Sequence, residues 1–264
     1  MKASNFYNQF RKTARILRRR VSASRIDERI FFLHVPKCGG TSVDAAISEA
    51  YGWKSCLHLD SAASRKASET RQEDLMEYRN SLLPYFMEQD GLRYISGHFV
   101  FDAGLYGRYG SQWRYITLLR HPVEKYLSQY FFNLQKQDKE HFGIEESLER
   151  FIESEEGVRL GQDMVQKITG RARVTPEGSS ERQSQIELAI QHIEKFHLVG
   201  ILEDLPGFEA GFKKRFGASL HIKKMNRNSS KDKKKVSPAI RKKIESLCEP
   251  DLALYEHVKK MLTG

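Results

Sequence analysis

Cysteine, proline and tryptophan are scarce in this chain, which has three, seven and two of them in 264 residues. Cys38, Cys56 and Cys248 make an odd set with no C-x-x-C spacing. Neither a disulfide framework nor a cysteine zinc site is expected, and a reducing compartment suits them. There is also no H-E-x-x-H and no tight carboxylate cluster, so no metal is called for. No apolar run reaches about 18 residues and no signal-peptide core is present, which argues against a spanning anchor and against secretion. No internal repeat is evident.

What the chain does have is positive charge, formally +10, in two places. Residues 1–29 hold nine Lys and Arg against two acids, and residues 213–243 hold thirteen against one, so the remainder is acidic. Basicity therefore speaks about local partners rather than the whole surface. Phe6, Phe10, Ala14, Leu17 and Val21 recur at helical spacing with Arg11, Lys12, Arg15, Arg18 and Arg19 mostly off the stripe. Residues 5–21 are thus expected to form a basic amphipathic helix able to lie on an anionic membrane or to pack on the domain. Residues 1–29 are set apart as this segment, and residues 30–264 as one folded domain.

Apolar runs near 30–35, 93–97, 114–119 and 198–201 alternate with helical stretches, the pattern of an α/β fold with a mainly parallel sheet covered by helices. Residues 61–90 are polar and helical in tone, and 170–182 have loop composition. The first strand runs straight into Pro36-Lys37-Cys38-Gly39-Gly40-Thr41-Ser42, after which Val43 to Ile47 read as a helix. Glycines let backbone N–H groups approach an oxyanion, a helix N-terminus adds its positive dipole end, and Lys37, Thr41 and Ser42 supply charge and donors. This is an anion cradle suited to phosphate or sulfate. A Walker loop places its lysine after the glycines; here Lys37 precedes Gly39 and Gly40, which argues against an ATPase.

The strand 114–119 ends in Arg120-His121-Pro122, with Pro122 fit for a first helical position and Ser128 eight residues beyond Arg120. A guanidinium at a strand's C-terminal edge faces the crevice where open α/β sheets bind ligands. The strand 93–97 ends in Gly97-His98, which brings an imidazole to the same edge. His98 is the candidate general base, because its unperturbed pKa lies near working pH. His34, inside a strand run, reads as a packed histidine. Cys38, at a helix start beside Lys37, is expected to lean toward thiolate.

In these three elements the chain resembles the sulfotransferases that use 3′-phosphoadenosine-5′-phosphosulfate (PAPS), in particular the carbohydrate-type families. PKCGGTS is similar to their 5′-phosphosulfate loop and Arg120 with Ser128 to their 3′-phosphate element, while His121 stands where relatives often carry an acidic or amide residue. Gly97-His98 looks like the catalytic histidine of the 2-O-sulfotransferase branch. The order helix, short strand, helix over 188–217 continues the likeness, and Arg227 and Lys231 resemble the basic loop that closes over the nucleotide. The resemblance implies a P-loop-like three-layer fold. It also implies transfer of a sulfuryl group from PAPS to a hydroxyl, on a glycan or glycolipid, with His98 and Lys37 as catalytic residues. Cofactor contacts would come from Lys37, Cys38, Gly39, Gly40, Thr41, Ser42, Arg120, Ser128, Arg227 and Lys231. The type II Golgi anchor of animal relatives is missing, so a cytoplasmic enzyme, peripheral at the membrane if residues 5–21 bind it, is expected.

Two other classes stay open. A nucleotide-dependent phosphotransferase would share the architecture, yet should show a lysine after the glycines and an acidic magnesium site. A nucleic-acid or membrane-surface binding protein would explain the basic segments but not the Lys37 loop, and no nucleic-acid signature accompanies the charge.

Overall fold

The computed structural model describes residues 26–135, 143–171, 174–223 and 235–263. β1 (Arg29–Leu33) leads into α1 (Gly40–Tyr51), and a short β2 (Cys56–His58) precedes α2 (Ser61–Arg71) and α3 (Leu75–Met87). β3 (Tyr94–Gly97), α4 (Ala103–Tyr109), β4 (Trp113–Leu119) and α5 (Pro122–Leu134) follow. Next come α6 (Leu148–Phe151), α7 (Glu155–Gly161), α8 (Asp163–Thr169) and α9 (Ser180–Ile193). β5 (Leu198–Ile201), α10 (Leu205–Phe216), α11 (Pro238–Leu247) and α12 (Glu249–Thr263) complete the order.

The five strands pair in the order β2-β3-β1-β4-β5, and every pair is parallel. A parallel sheet is covered on both faces, which is why Ile30-Phe31-Phe32-Leu33 can be apolar without alternation. All four are buried, and side chains still alternate between faces. Phe31 and Leu33 join a core with Met87 of α3, Ile168 of α8, Ile193 of α9 and Val258 of α12. Ile30 and Phe32 join the opposite core with Val43 and Ile47 of α1 and Phe208 and Phe212 of α10. Three layers result, the architecture the sequence resemblance implies. Each such side chain stabilises by roughly 1.5–3 kcal/mol on burial, and a one-residue slip would exchange the two sets, so register is firmly specified. A third core, with Tyr126, Tyr130, Phe151 and Ile244, seats α5 against α6 and α11.

The four sequence-expected strands and the helix–strand–helix order late in the chain are all present. β2 was not expected, because three residues with one aliphatic side chain carry no period. Residues 61–90 form two helices capped by Asp60, which accepts from Ala62 and Ala63, and by Asp74, which accepts from Met76 and Glu77. Pro122 occupies the first turn of α5 as expected. The helix after the anion loop begins at Gly40, one residue before the hydroxyl pair, with Gly39 as its left-handed cap.

Because the chain moves from β1 to one side of the sheet and later crosses to β4 on the other, β1 is the switch point. Crevices outside the C-terminal strand ends at such a point are where open α/β sheets take ligands. Lys37 follows β1, His98 follows β3 and Arg120 follows β4, so all three open on that crevice.

Candidate functional site

The turn from β1 to α1 contains two left-handed residues, Lys37 (φ 61°) and Gly39 (φ 80°). For lysine that conformation is strained, and strain of this kind concentrates at functional sites. A Cβ on Gly39 would lie 2.6 Å from Leu202 Cδ1, and a Cβ on Gly40 would lie 2.1 Å from the His34 ring. Neither position accepts a side chain, so the backbone is drawn tightly over its neighbours and its amides are left to line the turn. The Lys37 ammonium sits 3.6 Å from the Phe132 ring centroid on α5, a cation–π contact that holds the charge on the β4 side of the turn. Arg120 Nη1 donates to the Lys37 carbonyl at 3.2 Å, tying the β4 arginine to the loop. The Arg120 Nε is buried and finds no hydrogen-bond partner among the described residues. Thr41 is exposed and Ser42 half-buried in the first turn of α1, and Ser128 is buried within α5.

Cys38 corrects the expectation of a thiolate. Its side chain is fully enclosed, and burial pushes the thiol up to about 12, which Lys125 and Arg120 only partly oppose. It is a packed thiol that reaches neither substrate nor an alkylating reagent.

His98 presents its Nδ1 to the His34 carbonyl at 2.8 Å. Since the carbonyl can only accept, Nδ1 carries the proton and Nε2 is left with a free lone pair. Burial lowers the His98 pKa; Lys167 and Arg79 lower it further, while the bond to His34 and the charge of Asp163 oppose. The imidazole is therefore neutral at neutral pH and able to accept a proton. His34 lies one residue beyond β1 rather than within it. It is packed as expected, stacked on Phe32 at 5.5 Å and beside His98 at 4.6 Å, and burial holds its pKa at about 3. Arg79 of α3 donates to the His98 carbonyl at 3.4 Å and to Ser64 Oγ at 3.1 Å, bracing the same segment.

Several site neighbours escaped the sequence. Glu203, just past β5, accepts from the His121 amide at 3.1 Å and from the Tyr255 hydroxyl at 3.1 Å, placing a carboxylate at the N-terminus of α5. Lys125 is 1% exposed and pairs with Asp163 of α8 at 2.7 Å. Burial opposes its charge, but Asp163, Asp251 and Cys38 outweigh that and raise its pKa. Asp251 of α12, also 1% exposed, accepts from the Met164 and Val165 amides at 2.9 Å each and so caps α8 from outside that helix. Burial pushes its carboxyl up to about 7, against Lys125 and the two amides. The one available signal is Lys125 beside Val123, Tyr126 and Leu127, and Glu124 directly before it makes the lysine read as a surface residue.

Arg227 and Lys231 lie outside the described residues, as do residues 5–21 of the amphipathic stretch. No described helix is long and apolar enough to cross a membrane.

A search of curated proteins found no match to this chain. A family model described as the sulfotransferase family matches residues 25–257, which spans β1 to α12 and every strand of the sheet. The chain belongs to the sulfotransferase family.

Proposed function

We propose that this protein moves a sulfuryl group from PAPS to the hydroxyl of a carbohydrate or glycolipid acceptor, with His98 as general base, as in the 2-O-sulfotransferase branch. The observation that carries this is the convergence of Lys37, His98 and Arg120 at the ends of three adjacent strands, with the His98 ring bonded to the His34 carbonyl and the Arg120 guanidinium to the Lys37 carbonyl.

The residues present fit such a donor. A buried Arg120 Nε without a partner and a glycine-tight, doubly left-handed turn beside Lys37 make a donor set of cations, amides and hydroxyls, the chemistry that phosphate oxygens require. Lys37, the amides of Cys38, Gly39, Gly40 and Thr41, and the Thr41 and Ser42 hydroxyls would hold the 5′ end. Arg120 and Ser128 would hold the 3′-phosphate, and Arg227 and Lys231 would close over the nucleotide. When bound, PAPS supplies an activated sulfuryl group and leaves as 3′,5′-adenosine bisphosphate. His98 Nε2 takes the proton from the acceptor hydroxyl. Its tautomer is set by the His34 carbonyl, and its neutral form is maintained by burial. Lys37 would supply positive charge to the phosphate side of the departing group.

Retention on immobilised 3′,5′-adenosine bisphosphate tests this reading. Release by free bisphosphate but not by magnesium-ATP is expected; release by magnesium-ATP alone would favour the phosphotransferase class.

A further inference from the structure

All five strands are parallel, so their N-terminal ends share one edge of the sheet, opposite the crevice that holds Lys37, His98 and Arg120. Five large hydrophobic side chains are exposed among the described residues, and four of them, Trp53, Tyr85, Met261 and Leu262, gather at this edge. Trp53 lies between α1 and the first residue of β2 and is 72% exposed. Tyr85 stands two residues before Met87, the end of α3. The Met87 carbonyl accepts from Arg29 Nη1 at the start of β1 at 3.1 Å and from Trp113 Nε1 at the start of β4 at 3.3 Å. α12 begins beside the α8 amides that Asp251 caps. By His257 it has reached Glu194, the C-cap of α9 just ahead of β5, at 3.0 Å. Its last turn, with Met261 and Leu262, therefore continues to the same edge. Exposed apolar residues scattered singly are ordinary, but here three separate elements bring them together.

Positive charge collects at this edge as well. α10 follows β5 and runs back along the sheet, so its final turn, the exposed Lys213-Lys214-Arg215, ends there. Lys54 stands exposed beside Trp53. Three acids of the edge are already matched: Glu28 by Arg114, Asp90 by Arg29 at 3.9 Å, and Glu194 by His257. The chain also enters the fold here. Ile26 is buried in the core shared by α1 and α10, and Arg93, just before β3, donates to the Asp27 carbonyl. Residues 1–25, which precede that entry, hold eight Lys and Arg and no acid.

Indole and aliphatic tips mixed with Lys and Arg on one broad face suit the boundary of a bilayer, where an aromatic ring sits at headgroup level and bases meet anionic lipid. A protein partner would instead call for a face depleted in lysine. We propose that this edge of the folded domain docks on an anionic phospholipid surface. Trp53, Met261 and Leu262 enter the headgroup layer and Lys213, Lys214 and Arg215 meet lipid phosphates, while the crevice at the opposite edge stays open to water. Such docking is independent of the reaction at the crevice, and the basic stripe of residues 5–21 would add to it.

The two tryptophans make the test selective, because Trp113 is fully buried and Trp53 is not. The full chain is titrated with vesicles of phosphatidylcholine alone and of phosphatidylcholine mixed with phosphatidylglycerol. Binding at least about tenfold tighter to the anionic vesicles is expected, weakening as salt rises. On those vesicles tryptophan emission should shift to the blue and be quenched by lipids brominated in their acyl chains, and both effects should be absent from Trp53→Phe. Reversing the exposed turn of α10, by Lys213→Glu with Lys214→Glu and Arg215→Glu, should weaken vesicle binding at least about tenfold. If the reversed protein does not fold, the wild-type quenching decides alone. Equal affinity for the two kinds of vesicle would overturn the assignment. Anionic binding that leaves Trp53 emission unaltered would also overturn it, with residues 1–25 as the only lipid contact. So would undiminished binding by the folded charge-reversed protein, or shielding of Trp53 by self-association without vesicles, which would give this edge to a second copy of the chain.

Discussion

His98 directs its Nδ1 onto the backbone carbonyl of His34 at 2.8 Å, so that one histidine sets the tautomer of the other without sharing its side chain. The carbonyl needs no particular side chain at position 34, but the space does: the His34 ring fills the volume above Gly40. The base and the anion loop are therefore packed as one unit.

His98→Ala should keep bisphosphate binding and lose turnover by about 10²–10⁴, the usual worth of a positioned acid–base group. Because burial lowers the imidazole's pKa, the acid limb of kcat/KM should lie below the ordinary histidine value of about 6.5. Steady-state kinetics across pH check both statements, and wild-type-like turnover would remove His98 from the mechanism.

Gly40→Ala brings a methyl group to 2.1 Å from the His34 ring. Overpacking of this kind costs about 1–3 kcal/mol, so urea unfolding should shift to lower concentration. Adding His34→Ala, which clears the ring, should recover part of the loss. A single Gly40→Ala variant with unchanged stability would show that the ring is free to move.

The Lys125–Asp163 pair should reveal itself by asymmetry. Lys125→Met alone leaves Asp163 without its cation, and Asp163→Leu alone leaves a buried ammonium; each should cost about 3–5 kcal/mol. The double variant should cost clearly less than the sum. Additive losses in a denaturation cycle would mean the two side chains do not depend on each other.

Two buried groups give the stability a defined pH dependence. Asp251 titrates at about 7 when folded against about 3.9 in the unfolded chain, so the folded state binds the extra proton between these values. Its contribution is present below about pH 4 and is lost as pH rises toward 7. His34 titrates at about 3 when folded, so its contribution is present above about pH 6.5 and is lost as pH falls through that range toward 3. Melting temperatures of Asp251→Asn and His34→Phe should accordingly differ from wild type in opposite ways as pH is lowered from 7 to 4. Wild type should gain on the first variant and lose against the second. Parallel curves would contradict both assignments.

The sheet was legible because a buried parallel strand must be apolar on both faces, and four runs satisfied that rule. The turn after β1 was legible because lysine, glycines and hydroxyls between a strand and a helix have few other uses. β2 was not, since an edge strand of three residues leaves no pattern. The thiol of Cys38 was misjudged because proximity to Lys37 in sequence says nothing of enclosure. Lys125 with Asp163, and Asp251 with the amides of α8, join residues 38 and about 87 positions apart, and only the packed helices bring them together.

The most direct test of the central claim is calorimetric titration of the purified protein with 3′,5′-adenosine bisphosphate, with magnesium-ATP as competitor, repeated on Lys37→Ala and Arg120→Ala. Tight bisphosphate binding that magnesium-ATP does not displace, and that falls at least about tenfold in each variant, is the expected result. Absence of bisphosphate binding, preference for magnesium-ATP, or full affinity in both variants would contradict the account.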